Sequence, residues 1–476
     1  MVRTHRASGK VEISRIFGRQ ATFAAWLLLG AIIAIFLLGG GSRGDIRSLL
    51  LLRPLSILLL GFGLYVAAGT AWTKHRGLTL AIASLVILHI LQLVPLPPEI
   101  WARLAGRSGL AADLSVAGIK NDWRPLSLVP FQTWGSLFSL AAPIAVLLLA
   151  ISLPSRFDQA RMVGLCVVLA TASAIFGFLQ VVSGYSSALY VYDVTNNGVA
   201  VGLFANRNHN GVFLATAIPM MAYLAGQAQR VGFPPRYTLG TLFVFIFAMM
   251  LGVVISGSRS GVALLILGLM TVPLLADLPK VRAGASLHGL LFAIGLAAIL
   301  LVFIIVFNPT NALSRFLTID LVDDLRFEIW PIAWREVWTY FPWGSGFGTF
   351  VEAYQIAEPS EVLRTKYVNH AHNDWLELLM DSGLVGGVMI IAALGTWVMR
   401  LAHAIRAEEV NRLQILGLIV TAMLGLASFF DYPLRVPALA SLFALGVTWA
   451  FIPKAEEGAR HKKPRSRQAI SLGVTS

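Results

Sequence analysis

The sequence predicts an all-α, polytopic membrane protein with about 12 transmembrane helices and a large ordered outer loop, on three observations. Hydrophobic residues make up 57% of the chain and charged residues 13%, which leaves too little polar surface to solvate the domains that 476 soluble residues would form. Apolar runs of about 20 residues, enough to cross roughly 30 Å of hydrocarbon, recur along the chain. Lys and Arg gather in alternate connecting segments, as expected when those segments share one side of a bilayer.

The elements follow in order. Residues 1–20 are polar and basic, with Arg3, Arg6, Lys10, Arg15 and Arg19, and they lack a signal-peptide cleavage pattern, so the first span is expected to stay as an anchor. One transmembrane domain over 21–452 then carries spans near Ala21–Gly40, Leu49–Gly69, Leu78–Leu96, Trp134–Leu153, Met162–Ser183 and Gly211–Gly226. The remaining spans are placed near Leu239–Ile255, Gly261–Ala276, His288–Phe307, Gly383–His403, Leu413–Phe430 and Leu434–Ile452. The tail, 453–476, is polar and basic and suited to anionic lipid.

An even number of spans puts both termini on one side, together with Lys74 and Arg76, Arg230 and Arg236, Lys280 and Arg282, and Arg400 to Arg412. That side is expected to be the cytoplasm, and the long loops 97–133 and 308–382 then lie outside. The net charge of +13 is a topology signal, because the basic residues form no aromatic-laced patch of the kind that binds nucleic acid. Cys166 is the single cysteine, which excludes disulfides within the chain and multi-cysteine metal sites.

Loop 308–382 is net acidic in a basic protein. It holds amphipathic helical stretches at 326–340 and 375–381 around a Gly-rich turn at 344–348. Trp330, Trp334, Trp338, Trp343 and Trp375 argue for an ordered cap, since disordered segments are poor in aromatics; an interfacial belt is the other reading.

Three clusters set costly polar or cationic groups against the outer ends of spans. The first is Asn206-Arg207-Asn208-His209: Arg207 has the fork geometry suited to phosphate oxygens, and a helix start adds free amides and a positive dipole end. A helix cap with a snorkelling Arg fits the same residues. The second is Ser256-Gly257-Ser258-Arg259-Ser260-Gly261, either a tight turn or a second cation on the face of Arg207, with no acidic neighbour in sequence beside either Arg. The third is His370-Ala371-His372-Asn373-Asp374-Trp375, followed by Glu377 and Asp381. Its histidines suit a general base; a metal site and a hydrogen-bonding helix cap are the alternatives.

These clusters, with the order Arg326, Trp330, Pro342, Gly344 and Gly346, resemble the O-antigen ligase and polymerase superfamily of bacterial envelope glycosyltransferases. His372, Asn373, Gly383 and Gly386 match the ligases' H-[NSQ]-x9-G-x-x-[GTY] pattern, and the resemblance runs from about Asn121 to Ile452. It implies an architecture similar to the class C glycosyltransferases and transfer of a glycan from a polyprenyl pyrophosphate, commonly undecaprenyl, to a sugar hydroxyl. The reaction would take place on the periplasmic face of the bacterial inner membrane. The acceptor is lipid A core for a ligase and a lipid-linked glycan for a polymerase, and the sequence leaves both open.

Under this resemblance His372 is the catalytic base or a pyrophosphate ligand, and Arg207 and Arg259 hold the departing pyrophosphate. Asn206, Asn208, His209, Arg326 and Asn373 contact substrate, and neither cofactor nor metal is required. The outer segment 41–48 has Asp45 but no acid pair of the metal-dependent kind. A polytopic transporter is the competing class; it predicts broken helices and charges inside spans, where only His89 and Arg53 stand out.

Overall fold

A computed structural model describes residues 23–68, 75–120, 122–153, 156–276, 325–363, 367–407 and 411–451. The predicted ninth span His288–Phe307, the basic pair Lys280 and Arg282, and the segments 1–20 and 453–476 lie outside the described residues. The chain is helical: α1 (Phe23–Leu38), α2 (Leu49–Ala67), α3 (Arg76–Gln92), α4 (Pro98–Trp101), α5 (Ser108–Val116), α6 (Pro130–Ser139), α7 (Ala141–Ile151) and α8 (Arg156–Val182). Then come α9 (Arg207–Arg230), α10 (Pro235–Ser256), α11 (Arg259–Leu275), α12 (Leu325–Thr339), α13 (Phe350–Ala357), α14 (Asp374–Arg406), α15 (Arg412–Ala427) and α16 (Pro437–Phe451). A two-residue ribbon pairs β1 (Pro95–Leu96) with β2 (Arg124–Pro125), antiparallel.

Against twelve expected spans, six segments among the described residues reach the length and hydropathy a crossing needs: Leu49–Ala67, Pro130–Ile151, Asp158–Val182, Arg207–Arg230, Pro235–Ser256 and Asp374–Arg406. Helices α1, α3, α11, α15 and α16 are apolar but shorter. At 1.5 Å per residue, the 17 residues of α11 rise about 25 Å, just under the hydrocarbon thickness. The protein is a multi-pass membrane protein. The predicted fourth span is two helices joined at Leu140. The amphipathic stretch at 375–381, expected as a separate piece, is the first part of the 33-residue α14.

Side-chain caps set the starts of the helices that matter for the site. Asn206 Oδ1 accepts from Asn208 N at α9, Ser258 Oγ from Gly261 N at α11, and Asn373 Oδ1 from Trp375 N and Leu376 N at α14. The first turns of α9 and α11 lie against each other at two glycines. A Cβ on Gly211 would come 2.7 Å from Ser258 Cβ, and one on Gly261 would come 3.0 Å from Gly211 Cα. The two positive helix ends are therefore neighbours.

Contacts across the bundle sort the helix ends into two sets. At one end Ala205 N donates to Gly40 O, Ala438 N to Gly39 O, Asp374 N to Ser428 O and Gln92 Nε2 to Asp381 O. At the other, Arg412 Nη1 donates to Leu275 O, Gln159 Nε2 to Ala150 O and Trp449 Nε1 to Gln159 Oε1. The first end holds all three sequence clusters.

One apolar core runs through α1, α2, α7 to α11, α15 and α16. A second, built on Ile329, Ala333, Val337, Phe350, Tyr354, Ala371 and Met380, joins α12 and α13 to the start of α14. Loop 97–133 is tied to this second unit by Arg107, which is fully buried. Its Nη1 donates to Ala105 O, and its Nη2 to Leu126 O at 2.6 Å and Gly344 O at 2.9 Å. Burial lowers its pKa to about 10, which leaves it protonated at neutral pH.

Candidate functional site

Fixed positive charge gathers where α9 and α11 begin. Arg207 and Arg259 are the first residues of the two adjacent helices, and the Arg207 guanidinium reaches the α10–α11 turn, 3.8 Å from where a Cβ on Gly257 would stand. The structure thus brings the two predicted cations to one place, over two helix ends whose amides and dipoles add to the same potential. The capping reading holds for Asn206, and Ser258, read from sequence as part of a tight turn, caps α11. Arg207 N is itself bonded to Asn196 Oδ1 at 3.0 Å.

His372 lies beside a carboxylate that sequence reasoning did not select. Its Nδ1 is 3.3 Å from Asp431 Oδ1, an ion-pair distance at an angle short of an aligned hydrogen bond. The fully buried His209, at the start of α9, places Nε2 3.9 Å from the same oxygen, and the Asn208 side chain bonds to the same carboxylate. Burial opposes ionisation of Asp431, but contact with His372 and the charges of both histidines outweigh it and hold the carboxyl well below the usual carboxylate range. His372 has φ +51°, alone among the described non-glycine residues in having positive φ. The left-handed turn is a strained conformation of the kind found where a side chain must be aimed.

Tyr432 organises the histidines. Its ring lies 4.4 Å from that of His370, 4.9 Å from His372 and 5.0 Å from His209. Its hydroxyl takes a long 3.5 Å contact from Asn206 Nδ2, and burial, reinforced by Asp431, pushes the phenol above its ordinary range, so it stays neutral.

Arg435 fixes this assembly. Its Nε is 3.5 Å from Asp374 Oδ1, its Nη1 3.1 Å from Glu377 Oε1 and its Nη2 3.1 Å from Asp381 Oδ2. The three acids are spaced i, i+3, i+7 on one face of α14. Burial disfavours the guanidinium, but the carboxylates outweigh it and raise the Arg435 pKa further. The same acids hold the surrounding backbone: Glu377 Oε2 accepts from Ala371 N at 2.9 Å, and Asp374 Oδ2 from Ser428 Oγ at 2.8 Å and Leu434 N at 3.0 Å. His370 Nδ1 lies 3.0 Å from Glu377 Oε1, so His370 packs into the support of the loop.

The two glycines of the last cluster have a physical reason. Gly383 takes φ +56°, ψ −133° inside α14, and Leu384 N there donates to Pro342 O instead of continuing the helix ladder. A Cβ on Gly383 would collide with Pro342 O, and one on Gly386 with Ser382 Oγ. The pattern thus encodes a capped start at Asn373, two turns of acids for Arg435, and a break where the 342–346 turn docks.

Residues 242–391 match the family model described as O-antigen ligase. Over that segment the match supports the resemblance to the O-antigen ligase and polymerase superfamily. That family implies a glycosyltransferase-type enzyme. No curated protein matches the chain significantly.

The O-antigen ligase segment contains Arg259, Arg326, His372, Asn373, Gly383 and Gly386, whereas Arg207, Asp431 and Arg435 fall outside it. Arg326 stands one helical turn before Trp330, whose Nε1 donates to Ala371 O, next to His372. Asp431, Tyr432 and Arg435 were missed by sequence reasoning. The available signal was an Asp and an Arg four residues apart in the short turn between two apolar runs, where charge is costly unless paired. Among the described residues no group of three or more His, Cys, Asp or Glu is arranged to hold a metal ion.

Proposed function

We propose that this enzyme transfers a glycan from an undecaprenyl-pyrophosphate-type carrier to an acceptor sugar hydroxyl on the periplasmic face of the bacterial inner membrane, as an O-antigen ligase or polymerase, without a metal. The observation that carries the reading is the meeting of His372, Asp431 and the α9 start: a candidate base and its carboxylate beside the helix that begins with Arg207.

In the reaction, the acceptor O–H gives its proton to His372 Nε2 as its oxygen bonds to the sugar C1. The C1–O bond to pyrophosphate breaks, and that oxygen leaves with the electron pair. Asp431 faces Nδ1, which sets the tautomer with its lone pair on Nε2 and stabilises the imidazolium that forms. Negative charge grows on the departing pyrophosphate, and Arg207, Arg259 and the two helix ends supply fixed positive potential for it. The superfamily resemblance implies inversion at C1. Where a divalent cation could bind, the acids of α14 converge on Arg435, which supports metal-independent chemistry.

The test is transfer by the purified enzyme. A positioned base contributes about 10²–10⁴-fold, so His372→Ala is expected to lose that much with protein level unchanged, and chelator is expected to have no effect. A fully active His372→Ala enzyme removes the residue from catalysis; loss on chelation with rescue by a divalent ion removes the metal-free reading. Deletion of the gene separates the two acceptors: uncapped lipid A core with retained lipid-linked polymer means ligase, and accumulated single repeats mean polymerase. Reporter fusions are expected outside at Ala357 and inside at Arg460.

A further inference from the structure

Between α12 and the first turns of α14 lies an open cleft of about 330 Å³, lined by Trp330, Trp334, Asn373, Trp375, Leu376 and Leu379. The steps described above use none of its indoles. Two of them are locked by their own N–H groups: Trp330 Nε1 donates to Ala371 O and Trp375 Nε1 to Gly425 O, each at 3.0 Å. With those donors committed to backbone, the two rings offer the cleft their carbon faces and edges. Trp334 is half exposed and packs edge-on against Trp338 at 5.8 Å. Asn373 adds the polar group. Its Oδ1 caps α14, and its amide NH₂ is a donor.

The cleft is continuous with the reactive loop. Asn373 follows His372 directly, and Ala371, held by Trp330, precedes it. Asn373 therefore stands in the cleft wall and directly beside the base, in a segment whose Ala371 carbonyl is held by Trp330. We infer that this cleft holds the acceptor sugar, its apolar C–H face against the indoles and its rim hydroxyls toward Asn373, with the hydroxyl to be glycosylated reaching His372. The inference rests on the reading of His372 as the base. A sugar ring has two apolar faces and a polar rim, which is the pattern of this lining. A polyprenyl chain needs neither a donor nor fixed ring orientations, and it is far longer than the cleft. The volume is at the lower limit of sites that enclose small molecules, about 300 Å³, and suits a ring rather than a chain.

Two measurements on the full-length protein in detergent test this. In the first, acceptor oligosaccharide released from the host strain's envelope by mild acid binds to the His372→Ala enzyme, followed by saturation-transfer NMR, with and without Trp334→Ala. Binding does not need the base, so this arm is independent of the catalytic reading. Trp334→Ala is expected to weaken binding about tenfold or more, which is the loss of one good contact. In the second, steady-state transfer with otherwise wild-type enzyme is expected to show a similar rise in acceptor KM with donor KM unchanged. Trp334→Phe should recover most of the affinity and Trp334→Leu little, because a flat aromatic face is what the sugar uses. Unchanged oligosaccharide binding in Trp334→Ala overturns the inference, as does equal rescue by Leu and Phe. A rise in donor KM alone assigns the cleft to the lipid carrier and also overturns it. An active His372→Ala enzyme with tenfold weaker sugar binding in Trp334→Ala would sink the base while leaving the cleft.

Discussion

Asp431→Asn separates charge from shape in the proposed site. The two side chains are isosteric, and an Asn oxygen can still accept the Tyr432 N–H that Asp431 Oδ1 accepts at 3.0 Å. What is lost is a buried negative charge 3.3 Å from His372 Nδ1. At an effective dielectric of about 20, unit charges at that separation interact by about 5 kcal/mol, an upper limit for its stabilisation of the imidazolium. Charge delocalised over the ring and relaxation of the site return part of this. The expected net cost is about 3–4 kcal/mol in the transition state, or roughly 10²–10³ in kcat at about 1.4 kcal/mol per tenfold. The assay is single-turnover transfer from a lipid-linked donor, with donor binding measured separately to show that the anion site is intact. Wild-type turnover in Asp431→Asn would refute the pairing and leave Asp431 with a structural role only.

Further outcomes follow from the same geometry. Asp431 has a lowered folded pKa, so its contribution to stability is full above the ordinary carboxylate pKa of 3.8 and is lost as pH falls below it. The difference in melting temperature between wild type and Asp431→Asn should therefore shrink from pH 6 to pH 3, and a constant difference would contradict the pairing. Arg207→Lys and Arg259→Lys keep charge but lose the planar fork, so each should weaken donor binding and turnover in folded protein; wild-type behaviour in both ends the pyrophosphate assignment. Arg435→Met leaves three buried acids without their cation, and a loss of about 3–5 kcal/mol of stability is expected by thermal unfolding in detergent. Gly383→Ala forces a side chain into a positive-φ break against Pro342 O and should cost at least about 1–3 kcal/mol by the same measurement; an unchanged melting temperature would show that the kink adapts.

Much of the fold was legible because lipid leaves few choices. Runs such as 207–230 and 235–256 are long and apolar for one reason, and Asn206, Ser258 and Asn373 announce helix starts in the local sequence. Asn373 was legible because its partners lie nearby in the chain: its cap bonds span two and three residues, and Gly383 closes the same helix segment. Asp431 and Arg435 were not, because what they touch is far away in sequence: Arg435 and Asp381 are separated by 54 positions, Asp431 and His372 by 59, and Asp431 and His209 by 222. The nine-residue connection 428–436 between α15 and α16 gives no period from which such pairings can be read. The setting of His370 was no easier to read, since Tyr432, far along the chain, joins Glu377 in drawing it into the loop's support.

Arg107 bears on how such enzymes can be recombined. One cation from loop 97–133 serves carbonyl oxygens at Leu126, in its own loop, and at Gly344, in loop 308–382. A chimera that imports only the acceptor-side loop from another transferase would strand a desolvated guanidinium unless the incoming turn offered a carbonyl at the same point. Exchange of specificity between such transferases should therefore succeed when 97–133 and 325–382 travel together, as a single transplantable module.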